Sequence, residues 1–122
     1  MKKLVGGLLL LGAFAFSNAQ TITFDKTTID YGTVKANSDG NRVFTFTNTG
    51  DKPLILSNVQ PGCGCTASEY TKEPILPGKK GEIKVHYNTA TVAPFKKTID
   101  VFSNDPATGR IVLYIQGTVV AQ

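Results

Sequence analysis

Apolar and polar residues alternate with a period of two, run after run, between clusters of Gly, Pro, Asn and Asp. That pattern restricts the chain to short β-strands joined by tight turns. Ile22 and Phe24 alternate with threonines, and Ile29 to Val34 forms a second short run. Asn41 to Asn48 is β-branched and aromatic at its centre, through Val43-Phe44-Thr45-Phe46-Thr47, and Thr49-Gly50-Asp51-Lys52-Pro53 ends it. Leu54 to Val59 is a further strand closed by Pro61-Gly62, and Cys63 to Tyr70 is a short extended segment. Gly81 to Tyr87 puts Ile83, Val85 and Tyr87 on one face and Glu82, Lys84 and His86 on the other. Phe95 to Phe102 and Arg110 to Val120 complete the set, with Ser103-Asn104-Asp105-Pro106 turning between them. One sheet with a wet face cannot bury both Phe44/Phe46 and Ile111/Leu113/Ile115 without a second layer. The expected fold is therefore all-β, a sandwich of two mostly antiparallel sheets with seven to eight strands, because the gaps between successive strands are too short for parallel crossovers.

The amino-terminal segment belongs to a different class. Lys2 and Lys3 precede an uncharged apolar run from Leu4 to Phe16, and Ser17-Asn18-Ala19 offers small residues at the positions a signal peptidase reads. The run falls short of the roughly 20 residues a helix needs to span a bilayer. Residues 1–19 are expected to be a cleaved signal peptide, and residues 20–122 a single sandwich domain with no membrane span of its own. The location implied is periplasmic or extracellular. Formal net charge is +4 for the 122 residues. Two of those positive charges sit in the leader, and no long run of Lys and Arg remains to form a nucleic-acid surface.

Cys63-Gly64-Cys65 is the one feature with distinctive chemistry. In an extended strand, residues i and i+2 point to the same side, and Gly64 with the preceding Pro61-Gly62 lets the chain bend. Three readings stay open: a small-ring disulfide or two packed thiols, a soft-metal site for copper or zinc, and thiol–disulfide exchange through a strained bridge. His86 is the candidate third metal ligand, although its strand pattern groups it with solvated Glu82 and Lys84. No Cys-x-x-Cys is present.

Other catalytic arrangements find little support. His86 is the single histidine, and Gly-x-Ser-x-Gly is absent. Asp30, Asp51, Asp100 and Asp105 are scattered and read as turn and surface residues. Tyr70, Tyr87 and Tyr114 read as core or rim aromatics. No catalytic residue is assigned and no cofactor is expected, with copper or zinc at the cysteines as the alternative.

Several ordered blocks resemble a known bacterial family. Asp30-Tyr31-Gly32-Thr33-Val34, the stretch Phe44 to Leu54, and Cys63-Gly64-Cys65-Thr66 resemble the motifs of the family called domain of unknown function 1573. So do Pro77-Gly78, Gly81-Glu82-Ile83, Ser103-Asn104-Asp105-Pro106 and Ile115 to Val119. The resemblance covers roughly residues 22 to 119. It implies an immunoglobulin-like sandwich related in shape to Hydin and sperm-protein modules, which are mostly interaction modules. The function expected is an exported, non-catalytic binding or scaffolding module whose partner is another exported or envelope protein, with metal binding and thiol exchange as alternatives.

Overall fold

The computed structural model describes residues 19–62 and 66–122. These form eight strands: β1 (Ile22–Phe24), β2 (Thr28–Lys35), β3 (Asn41–Asn48), β4 (Leu56–Pro61), β5 (Thr66–Tyr70), β6 (Lys80–Tyr87), β7 (Pro94–Ser103) and β8 (Arg110–Val120). They build two four-stranded sheets, ordered β1-β3-β6-β5 and β2-β8-β7-β4. The expected two-sheet sandwich is the observed architecture. Its one parallel pairing among the described residues joins β2 to β8, whose lengthy separation in the chain leaves ample room for the crossover.

The alternation in the sequence becomes the burial pattern. In β6 every second residue is buried, so Ile83, Val85 and Tyr87 face in while Glu82, Lys84 and His86 face out. Phe44 and Phe46 of β3 meet Ile99 and Val101 of β7 and Leu113 and Ile115 of β8, all essentially without exposure. Burying each such side chain contributes about 1.5–3 kcal/mol, and this core holds the two sheets together.

One element starts later than the alternation predicts. Leu54 leaves β4 and forms an isolated bridge with Ile75, and the Ile55 backbone is taken up by Asn104. The strand proper begins at Leu56, with a bulge before Asn58, and continues to Pro61, which an edge strand tolerates. The expected extended segment from Cys63 to Tyr70 is β5 from Thr66 on, and its first three residues lie outside the described residues. In β2, Gly32 takes a φ of 67°, with its N–H donating to Asp30 Oδ1, and the register with β8 shifts there. This bulge turns Tyr31 into the core, where its hydroxyl donates to the Gly40 carbonyl at 2.8 Å. Burial pushes the Tyr31 phenol up to about 12, against a lowering by Arg42 and a further rise from Asp39, so it remains a donor at any physiological pH.

The two ends of the sandwich differ. At one end Tyr87 stacks on Phe95 with centroids 3.9 Å apart, Tyr31 meets both rings edge-on, and the Arg42 guanidinium lies 4.1 Å over Tyr31. At the other, buried Asn48 and Asp105 tie the turns together. Asp105 departs from the expectation of an exposed turn residue. It is 4% exposed, and its carboxylate accepts from Ile22 N, Ala107 N, Thr108 N and Thr108 Oγ1. Asp30 and Asp51 are exposed as expected, and Asp100 pairs with Arg110 at 3.0 Å.

Candidate functional site

The chain leaves one sheet at Gly62, whose N–H donates to the Thr98 carbonyl at 2.9 Å, and enters the other at Thr66, opposite Tyr87. Residues 63–65 join these points. Cys63 and Cys65 therefore lie outside the described residues, as does nearly all of the leader segment. The anchored neighbours of the Cys-Gly-Cys connection belong to the end of the sandwich that holds the Tyr31–Tyr87–Phe95 cluster.

β5 is an edge strand. Thr71 N donates to Glu82 O, so the pairs Glu69–Lys84 and Ala67–His86 exchange the ladder bonds with β6. The backbone N–H groups of Ser68 and Tyr70 then point away from β6, toward the open side of the sheet. The Ser68 hydroxyl is buried and has no hydrogen-bond partner. Beside this edge the outer face carries a groove of about 240 Å³ along Asn41, Val43, Glu69, Lys84 and His86, floored by strand backbone. A smaller hollow of about 180 Å³ continues it past Glu69, Tyr70, Thr71 and Glu82. Val43 is 46% exposed in this otherwise polar face.

His86 is exposed on that face, directly across from Asn41 of β3 and Ala67 of β5. Its Nδ1 lies 2.9 Å from Asn41 Oδ1, and Asn41 Nδ2 donates to Asp39 Oδ1 at 2.8 Å. The Asn41 backbone N–H on the same carboxylate holds Asp39 below the usual carboxylate range, against the opposing effect of desolvation and assisted by the Asn41 amide, Arg42 and His86. An ionised carboxylate only accepts, so it fixes the Asn41 amide nitrogen toward itself and the amide oxygen toward His86. Nδ1 must then carry the hydrogen, and in the neutral ring Nε2 keeps its lone pair for a metal or a proton. The alternation of β6 places His86 on the outer face. Its partner Asn41 and the orienting Asp39 are missed by sequence reasoning, because the contact depends on the register between β3 and β6. Among the described residues, no three His, Cys, Asp or Glu side chains converge to hold a metal ion. No helix among them is long and apolar enough to cross a membrane.

This architecture defines an immunoglobulin-like β-sandwich with two open-edged sheets, a class that presents strands and turns to its surroundings. Residues 22–119 match the family described as "Protein of unknown function (DUF1573)", and the chain belongs to that family. No curated protein matches it.

Solved structures share the fold at low identity. A protein of unknown function from Porphyromonas gingivalis W83 superposes with a TM-score of 0.74 at 15% identity, covering 84% of this chain and 48% of that one. The PapD-like domain 7 of human CEP192 gives 0.66 at 8% identity, covering 85% and 88%. The CsuC–CsuE chaperone–tip adhesion subunit complex of Acinetobacter baumannii gives 0.56 at 10% identity, covering 81% and 57%. The secreted serine protease VesC of Vibrio cholerae shares the fold over 24% of its length. The chain thus spans about half of the Porphyromonas protein and a quarter of the protease.

Proposed function

We propose that this protein is an exported, non-catalytic binding or scaffolding module that docks an envelope or secreted partner along the β5 edge. Residues 1–19 act as a cleaved leader in this reading, and residues 20–122 form the working domain. The observation that carries it is the open edge of β5, with the Ser68 and Tyr70 N–H groups turned outward beside a groove with Val43 in its wall. An exposed edge recruits an added strand through main-chain hydrogen bonds, while neighbouring side chains select the sequence. The solved relative that holds a chaperone with an adhesion subunit supports the binding reading by analogy of fold.

A proline at Ser68 tests this. It removes an outward N–H, leaves the Glu69–Lys84 and Ala67–His86 ladder bonds to β6 intact, and deletes a hydroxyl that has no partner. The wild-type protein, cross-linked in the envelope of its native host, should yield one stoichiometric partner. Ser68→Pro should reduce that yield at least tenfold while the urea midpoint stays unchanged. An undiminished yield with Ser68→Pro rules out the edge, and turnover of a substrate by the purified protein rules out the non-catalytic reading.

A second reading is copper or zinc binding by Cys63 and Cys65, favoured by the tautomer lock on His86. A single residue, Thr66, separates Cys65 from Ala67, the direct cross-strand neighbour of His86, and thiolates with an imidazole suit either metal. Native mass spectrometry of the exported chain should then show one bound metal ion. Cys63→Ser/Cys65→Ser should lose it with the fold retained, and Asn41→Ala should weaken it about 10–100-fold, as orienting partners of a ligand do. Equal metal content in all three proteins eliminates this reading and leaves a structural disulfide or thiol exchange for the turn.

A further inference from the structure

Four large apolar side chains stand exposed among the described residues, and two of them share one patch. Leu54 and Ile75 exchange both backbone hydrogen bonds, at 2.9 and 2.7 Å, and both side chains are buried. Their chain neighbours therefore face outward, with Ile55 across from Pro74 and Pro53 across from Leu76. Ile55 is 42% exposed and Leu76 54%, and Pro53, Pro74 and Pro77 are exposed with them. The backbone beneath is largely closed. Ile55 N–H donates to Asn104 Oδ1, the Ile55 carbonyl accepts from Asn104 N, and the Pro53 carbonyl accepts from Asn104 Nδ2. The Leu76 carbonyl accepts from Lys79 N, and the prolines have no N–H to satisfy. This surface is the opposite of the β5 edge. It offers apolar side chains and few free main-chain groups, so it suits a low-dielectric contact and gives an added strand little to bond.

We propose that this patch seats the domain on the surface of an anionic phospholipid bilayer. Two observations select a membrane over a protein. The first is where the chain enters. The Ala19 carbonyl accepts from Asp51 N at 3.3 Å, and Gln20 Nε2 donates to the carbonyl of Asn104, the residue that also binds Pro53 and Ile55. The leader thus joins the domain beside the patch. Its apolar run ends at Phe16, three residues before Ala19, a reach of about 10 Å at full extension. A domain that folds while its leader is still in the membrane is held with the patch at the bilayer. The second observation is charge. Lys52 adjoins Pro53, and Lys79 closes the turn at Leu76. With Lys72 and Lys80 they outnumber Asp51, Glu73 and the nearly buried Asp105 at this end, and the amino terminus freed at Gln20 adds a cation. Apolar side chains that enter the headgroup boundary between lysines give reversible, peripheral attachment. The proposal uses the export reading above and is independent of the β5 edge.

The test uses the full chain exported by a bacterial host. Its product is floated with vesicles of phosphatidylcholine alone or with phosphatidylglycerol added, and the intact mass of the same preparation reads leader removal separately. Wild type should float with the anionic vesicles and about tenfold less with the neutral ones. Ile55→Ser/Leu76→Ser should cut the bound-to-free ratio at least tenfold, with the urea midpoint little changed because both side chains are half exposed. Lys52→Gln/Lys79→Gln alters two exposed side chains and should cut the ratio about tenfold on anionic vesicles alone. Ser68→Pro should float like wild type, and its loss from the vesicles would place the contact on the β5 edge and overturn the seat. Equal flotation of wild type and both double variants overturns it too. So does a patch-dependent dimer that ignores vesicles, which assigns the patch to a second copy. A retained leader overturns the export reading, whereas a chain that begins at residue 20 and does not float overturns the seat alone.

Discussion

Asn48→Ala should cost about 3–5 kcal/mol of stability, a large share of the roughly 5–15 kcal/mol typical of a domain. Asn48 has no exposure, and its side chain meets its full bonding capacity. Oδ1 accepts from Thr21 N at 3.2 Å and Gly50 N at 3.0 Å, and Nδ2 donates to Lys52 O at 2.6 Å and Ile75 O at 2.9 Å. One amide thus joins the entry of the chain, the turn after β3 and the loop before β6. Alanine strands Thr21 N–H, Gly50 N–H and the Lys52 carbonyl, while the Ile75 carbonyl keeps the Leu54 N–H; each buried partner left unpaired costs about 1–3 kcal/mol before water reaches some of them. The urea midpoint should fall with little change in slope. Asn48→Asp separates the two halves of the role. It keeps the acceptor toward the two N–H groups but turns a buried charge on two carbonyls. That variant should be weakest at neutral pH and regain stability as the pH falls and the carboxyl protonates. A loss below about 1 kcal/mol for Asn48→Ala would contradict the hub role.

Acid should destabilise the wild-type protein through Asp105, and Asp105→Asn should remove much of that sensitivity. Burial by itself raises the Asp105 pKa. Hydrogen bonds from Ile22 N–H, Ala107 N–H and the Thr108 hydroxyl and N–H outweigh it and hold the carboxyl below the usual carboxylate range. A folded pKa below the unfolded value of about 3.9 gives stability that is complete above that pH and is lost as the pH falls through the folded value. Asp39 is lowered too and adds to the same window, so Asp39→Asn is the matched control. In Asp105→Asn, one carboxylate oxygen becomes an amide nitrogen. On Oδ2, that change sets a donor against Ile22 N–H; on Oδ1, against Ala107 N–H and Thr108 N–H. The variant should be about 2–3 kcal/mol less stable at neutral pH and have a flatter stability profile below about pH 4. Urea denaturation across pH checks both effects, and parallel profiles for wild type and Asp105→Asn would show that the carboxylate does not act this way.

Much of this architecture is legible in the chain because a strand with one buried face must alternate. β3 and β8 fall where the periodicity ends at turn residues, and β6 is set by Ile83, Val85 and Tyr87. Leu54 carries the same apolar signal, yet it pairs with Ile75 outside β4, since a lone apolar residue does not reveal which backbone it will meet. Asp105 illustrates the same limit for polar residues. Its place in a Ser-Asn-Asp-Pro turn is obvious, but its burial depends on the Ile22 N–H, far away in the sequence.

Local pattern and composition by themselves determined the class of fold, most of the strand positions, the family motifs and the chemical oddity of Cys63-Gly64-Cys65, because periodicity and turn chemistry are short-range properties. Tertiary structure alone decided the parallel pairing of β2 with β8, the open edge at β5, the Asp39–Asn41–His86 relay and the Asn48 hub. Each of these depends on strand order and register, which are selected by the packing of the whole core and leave no mark on any one segment.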